Sequence, residues 1–158
     1  MALLVIKGYE QTEFVETFAP VAKLVTLRMV LALSTLHGWE IDHMDIVTAF
    51  LNPPVNRDIY MFLPDAIDWL DSAKPVNTIF CKLNKALYGL KEAPRLWYDH
   101  IDEFLQSINF RMSTDDSNLY ISTDGELLLL RYVDDLLLLP RVAHVSIKPS
   151  NSYTDVIG

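Results

Sequence analysis

The chain is short of cysteine, of positive charge and of uninterrupted apolar sequence. It has 158 residues with one cysteine, and 13 lysines and arginines stand against 21 aspartates and glutamates, a formal charge of −8. Cys81 alone cannot close an internal disulfide, and no Asn-x-Ser/Thr sequon occurs, so nothing marks an oxidising or secretory compartment and an intracellular protein is expected. The deficit of basic residues argues against a freestanding nucleic-acid binder, which captures phosphates with a net positive field. The most apolar stretch, Leu127 to Leu139, holds Arg131, Asp134 and Asp135 at its middle. Charges there would be costly in lipid, so no membrane span is expected. At the start, the apolar residues end at Lys7, too early for the core of a signal peptide.

What is present is an ordinary globular composition, 51% hydrophobic and 22% charged, with neither repeats nor low-complexity tracts, and one domain is the expectation at this length. Leu24 to Leu36 is apolar almost all round, begins near a capping residue at Thr26 and stops at Gly38, which predicts a buried helix. The near-alternation of Trp39 to Asp45 predicts a strand that ends on a carboxylate and puts Ile41, His43 and Asp45 on one face. Pro53-Pro54 forces a loop, and Ile59–Leu63 and Thr78–Leu83 read as short strands. From Pro94, the residues Trp97, Ile101, Phe104, Leu105 and Ile108 recur at helical spacing. Asn118–Ser122 reads as a strand, Asp124-Gly125 as a hairpin turn, and Leu127–Val133 and Leu136–Leu139 as a second hairpin turned at Asp134-Asp135. Beyond Pro140, residues 141–158 lack periodicity and read as an irregular tail.

Tyr132-Val133-Asp134-Asp135 is the feature that carries chemistry. Adjacent carboxylates between two leucine-rich strands repel each other and lose hydration, which a divalent cation offsets. Their plain alternative is a solvated turn, where aspartate is common. Asp45 at the end of a different strand adds a third carboxylate. Three acids meeting from two strand ends form an all-oxygen site suited to Mg²⁺, and such sites serve in-line displacement at phosphorus. A carboxylate–metal hydrolase is the alternative chemistry for the same acids.

The segments LVIKGYEQ, ETFAPVAKLVTLRMVLAL, GWEIDHMDIVTAFLN, IYM, KLNKALYGLKEAPRLWY and YVDDLLL, in that order between residues 4 and 139, resemble the reverse transcriptase of copia-type long-terminal-repeat retrotransposons. The resemblance implies an α+β fold, with residues 1–140 as the fingers and part of the palm of a right-hand polymerase and an antiparallel palm sheet packed on helices. It implies RNA-directed DNA polymerase activity by two-metal nucleotidyl transfer with Mg²⁺, or Mn²⁺ in its place, on a primed RNA or DNA template with deoxynucleoside triphosphates. By the same resemblance Asp45, Asp134 and Asp135 are the catalytic and metal-binding acids, and Ile46 lies beside the metal through its backbone. Phe50 lies under the incoming sugar, with Tyr88 and Gly89 against the nascent base pair. Lys91 and Arg95 contact nucleic-acid phosphates, and Tyr132 and Val133 lie near the primer end. Taken singly, Phe50, Tyr88, Trp97 and Tyr98 also read as packing aromatics, and Lys82, Lys85, Lys91 and Arg95 as a solvated basic strip.

Departures from the family set further expectations. Met1 and Leu3 stand where the family commonly has Lys and Arg, which removes a cation from the nucleotide pocket. Glu92 stands where it often has Gln, which puts an acid beside the nucleic-acid path. The family's thumb and RNase H regions find no match in residues 141–158, so weak or absent activity of this chain alone is expected, and a non-catalytic remnant or co-opted binding module is the competing reading. The four histidines and Cys81 show no metal-ligand spacing and read as ordinary residues.

Overall fold

Alternating leucines at the C-terminal end of the chain organise the fold. The computed structural model describes residues 4–13, 16–62 and 80–141. Among these the order is α1 (Leu24–His37), β1 (Asp42–Asp45), β2 (Tyr60–Phe62), β3 (Phe80–Lys82), α2 (Ala93–Ser107), β4 (Phe110–Met112), β5 (Leu119–Ser122), β6 (Leu127–Tyr132) and β7 (Asp135–Pro140). Single 3₁₀ turns lie at Gly8–Glu10 and Ala49–Leu51. One antiparallel sheet has the order β1-β7-β6-β5-β4, and β2 and β3 form a separate hairpin. The fold is α+β.

Leu129 and Leu136 face Trp97, Ile101 and Leu105 of α2, whereas Leu130 and Leu139, one residue out of phase, face Val30 of α1. The centre of the sheet is thus covered on both sides, which is why β6 and β7 read as continuous leucine rather than as an apolar–polar alternation. Burying each such side chain contributes about 1.5–3 kcal/mol. In α2 the periodicity behaves as expected, with Pro94 in the first turn and Trp97, Tyr98, Ile101 and Leu105 buried.

Helix α1 departs from expectation. Only Thr26, Val30 and Ser34 are buried, and Val25, Met29 and Leu36 lie on an open apolar flank. Its cap also comes from far along the chain. The N-cap residue Lys23 makes no side-chain capping bond. Asp116 Oδ2 instead accepts the Lys23 N–H at 2.9 Å and the Thr26 hydroxyl at 2.6 Å, while its Oδ1 accepts the Asn118 N–H at 3.0 Å. An acid at a helix N-terminus also opposes the positive end of the helix dipole. Burial pushes the Asp116 carboxyl up, but these hydrogen bonds outweigh it and hold its pKa below the ordinary value.

Arg131, which interrupts the leucine run, is 1% exposed. Its Nε and Nη2 donate to Asn118 Oδ1 at 3.1 and 2.7 Å, its Nη1 donates to the Tyr98 carbonyl at 3.2 Å, and its guanidinium lies 4.1 Å from the Tyr98 ring centre. Carbonyl dipoles and an aromatic face thus stabilise the charge. Strand β1 covers only the last four residues of the segment expected as a strand. Strand β4 was not expected at all, because its three residues have no readable period and form only where β5 offers a partner. Leu63, Thr78, Ile79 and the tail from residue 142 onward, for which strand ends or irregular chain were expected, lie outside the described residues, as do Met1 and Leu3.

Two consequences are measurable by urea unfolding. Asp116→Asn is expected to cost about 1–2 kcal/mol at pH 7. The folded pKa of Asp116 is depressed, so its contribution is complete above the unfolded value of 3.8 and is lost as the pH falls through the folded value. The gap between wild type and variant should therefore close in acid, and a gap independent of pH contradicts the assignment. Arg131→Ala is expected to cost about 3 kcal/mol, because it leaves a cavity and strips Asn118 Oδ1 of its donors. Arg131→Met, which keeps the volume, should cost less.

Candidate active site

Strand β1 is the edge of the sheet, and its register on β7 brings the acids together. The Cα partners run Asp42↔Leu138, His43↔Leu137, Met44↔Leu136 and Asp45↔Asp135, and the Ile46 N–H donates to the Asp134 carbonyl at 2.9 Å. A hydrogen bond at the 46–134 step makes Asp45 and Asp135 a non-hydrogen-bonded pair, the type with the closest side chains and Cα atoms about 4.5 Å apart. Tyr132 pairs with Asp135 from the other side and shares its face. Ile46, on the opposite face, is buried with Trp97 and Leu136 and pins the end of β1 to the core.

The turn is displaced by one residue from the expected one. Tyr132 pairs with Asp135, so the loop residues are Val133 and Asp134, and Asp135 opens β7. Val133 has φ 60°. A positive φ at the first loop position alone is the type II′ pattern, which favours glycine there. A β-branched residue in this conformation is strained. The indole N–H of Trp97, reaching up from α2, donates to the Val133 carbonyl at 2.9 Å and fixes the strained peptide. Asp45, Ile46, Tyr132, Val133, Asp134 and Asp135 are thereby gathered at one place.

The remaining candidates form a second group. After β1 the chain takes a left-handed step at Thr48, φ 55°, and the 3₁₀ turn brings Phe50 edge-on to Tyr88, with ring centres 5.6 Å apart at 89°. Residues 4–13 cross over the segment that follows Tyr88. The Ile6 N–H donates to the Tyr88 carbonyl at 2.8 Å. A Cβ on Gly89, φ 88°, would lie 2.0 Å from the Ile6 carbonyl oxygen, and one on Gly8 would lie 1.9 Å from the Gly89 carbonyl oxygen. Both positions therefore require glycine. Lys91 Nζ donates to the Gln11 carbonyl at 2.7 Å, and Arg95 Nε donates to Asp99 at 2.9 Å while its guanidinium lies over the Tyr98 ring.

Glu92 corrects an expectation. It does not line an open path but is buried, and its carboxylate accepts Arg57 Nε at 2.9 Å and Gln11 Nε2 at 2.8 Å. Arg57 also pairs with Glu13. Burial pushes the Glu92 carboxyl up, and the bonds from Gln11 and Arg57 more than reverse this. Cys81 is half-buried on β3.

Two participants were not recognised in the sequence. His43 Nε2 lies 2.7 Å from Asp135 Oδ1. Its signal was its position, two residues before Asp45 and so on the same face of the strand. Trp97 had none, because helical spacing marks a core residue without revealing that its N–H reaches the turn.

The donors at the β1–β7 edge are oxygens, from half-buried or exposed acids, and so suit a hard cation whose shell water completes. Among the described residues no three His, Cys, Asp or Glu side chains are gathered closely enough to hold an ion. The arrangement fits an ion held by one or two carboxylates together with water and substrate phosphates, the usual manner of Mg²⁺.

Residues 1–147 match the family model described as reverse transcriptase (RNA-dependent DNA polymerase). The chain is 39% identical over 142 residues to the retrovirus-related Pol polyprotein from transposon RE1 of Arabidopsis thaliana, covering 87% of this chain and 9% of the relative. It is 38% identical over 143 residues to the corresponding polyprotein from transposon TNT 1-94 of Nicotiana tabacum, covering 87% and 10%. The putative transposon Ty5-1 protein of Saccharomyces cerevisiae is 36% identical over 97 residues, which is 60% of this chain and 30% of that protein. The chain thus spans about a tenth of the length of the plant polyproteins it matches. No solved structure matches significantly.

The strain at Val133 can be tested directly. Val133→Gly should raise stability by about 0.5–1 kcal/mol in urea unfolding, whereas the same change inside an unstrained strand lowers it. A loss of stability contradicts the turn geometry.

Proposed function

Because the chain belongs to the reverse transcriptase (RNA-dependent DNA polymerase) family, we propose that its β1–β7 edge is the nucleotidyl-transfer site of a copia-type retrotransposon reverse transcriptase. One observation carries the reading: the strand register that sets Asp45 opposite Asp135 and ties Ile46 to Asp134 through a backbone hydrogen bond. The α+β sheet with its two helices serves as the palm and its junction with the fingers.

Asp45 and Asp134 supply the carboxylates for Mg²⁺ or Mn²⁺, with Asp135 beside them and the Ile46 backbone next to the triphosphate. When bound there, such ions neutralise phosphate charge and favour attack by a primer 3′-hydroxyl. Trp97 keeps the turn that bears Asp134 in place through Val133. Tyr132 and Val133 lie under the primer end, Phe50 under the incoming sugar, and Tyr88 with Gly89 along the nascent base pair. Lys91 and Arg95 meet the phosphates of a primed RNA or DNA template.

Charge limits what the chain does alone. A net −8 opposes phosphate capture. In the 82–95 strip, Lys82 pairs with Asp58, Lys91 donates to the Gln11 carbonyl, and Arg95 pairs with Asp99. Weak synthesis, limited by poor capture of the template and primer, is the expected behaviour.

The test is incorporation of deoxynucleotides on a primed RNA template with Mg²⁺ or Mn²⁺ at low salt. Asp134→Asn is expected to reduce it about a hundredfold or more, since losing a shared metal ligand removes several kcal/mol of transition-state stabilisation. Equal signals from wild type and Asp134→Asn overturn the proposal and favour a non-catalytic binding module.

A further inference from the structure

The acids at the β1–β7 edge are not equivalent. An ionised carboxylate only accepts hydrogen bonds, so the 2.7 Å contact from His43 Nε2 to Asp135 Oδ1 has the ring N–H as its donor. Among the described residues no other side chain bonds to Asp135, and none bonds to the carboxylates of Asp45 or Asp134. The contact also has a direction. His43 stands directly across from Leu137, two residues further along β7 than Asp135. It is the diagonal neighbour of Asp135, and it draws that carboxylate along the strand, away from the turn that carries Asp134.

We propose that His43 is a positioning residue that holds Asp135 out of the ligand set, so that Asp45 and Asp134 alone supply carboxylates to the metal. The proposal rests on the reading of this edge as a polymerase metal site and adds what sets its ligand number. In water both partners have alternatives, because their side chains are 58% and 45% exposed, so the hydrogen bond is a modest restraint rather than a lock. Its loss frees an acid that lies next to the site on the same face.

Mn²⁺ binding to the purified chain, followed by the electron paramagnetic resonance of the free ion, tests this without recourse to activity. His43→Ala should bind Mn²⁺ about three- to tenfold more tightly than wild type, below the range usual for shielded partners of metal ligands because this pair is exposed. Asp135→Asn alone should weaken binding clearly less than Asp45→Asn does, and the double variant His43→Ala/Asp135→Asn should lose the gain. His43→Gln, which keeps an N–H donor at the same reach, should behave as wild type. Asp45→Asn should weaken binding at least about tenfold, with melting temperatures of all variants compared in parallel. If Asp45→Asn binds as wild type does, the metal-site reading fails and this proposal falls with it. If Asp45→Asn is defective but His43→Ala is unchanged or weaker, or Asp135→Asn is as damaged as Asp45→Asn, the metal site stands and the role of His43 is overturned.

Discussion

The register of β1 on β7 is the constraint on which the rest depends. Side chains alternate faces along a strand, so a slip of one residue would send Asp45 into the apolar layer under α2 and bring Met44 or Ile46 to the solvent face. Two demands together prevent this. Ile46 is buried against Trp97 and Leu136, and the Ile46 N–H closes on the Asp134 carbonyl. The same step of the ladder therefore anchors the edge strand and draws the acid-bearing turn toward it. Nothing in the carboxylates themselves favours their meeting, since like charges repel, and the apolar core imposes it on them.

A second layer of support connects this edge to the N-terminal segment. Phe50 packs against both the α2–sheet cluster and the cluster of Ile59, Leu83, Ala86, Leu90 and Ala93. Around that second cluster the backbone crossing at Gly8 and Gly89 and the buried Glu92–Arg57–Gln11 group tie three distant stretches of chain together. Glu92 there is a structural acid that holds Arg57 in place. In the strip that looked basic in the sequence, Lys82, Lys91 and Arg95 each have a partner within the protein.

Elements governed by local periodicity were legible. The spacing of Trp97, Ile101 and Leu105 marked α2, the leucine run marked β6 and β7, and the alternation before Asp45 placed a carboxylate at a strand exit. What could not be read depends on long-range partners. The capping of α1 by Asp116 joins residues about ninety positions apart. The exposure of one flank of α1 reflects which surface the sheet offers rather than its own apolar content. The turn was displaced because adjacent aspartates look like loop residues, whereas the leucine register and the Trp97 bond assign the loop to Val133 and Asp134 despite the strain. The motifs single out Asp45, Asp134 and Asp135, but the attachment of Asp135 to His43 required the pairing of two strands.

On the proposed function, a divalent ion binds between the end of β1 and the turn before β7. Paramagnetic broadening by substoichiometric Mn²⁺ in the amide NMR spectrum of the uniformly ¹⁵N-labelled chain tests it most directly. The amides of Asp45, Ile46, Asp134 and Asp135 are expected to broaden first, with Val133 close behind. Broadening centred instead on the acids of α2, Asp99, Asp102 and Glu103, with the β1–β7 edge unaffected, would contradict it.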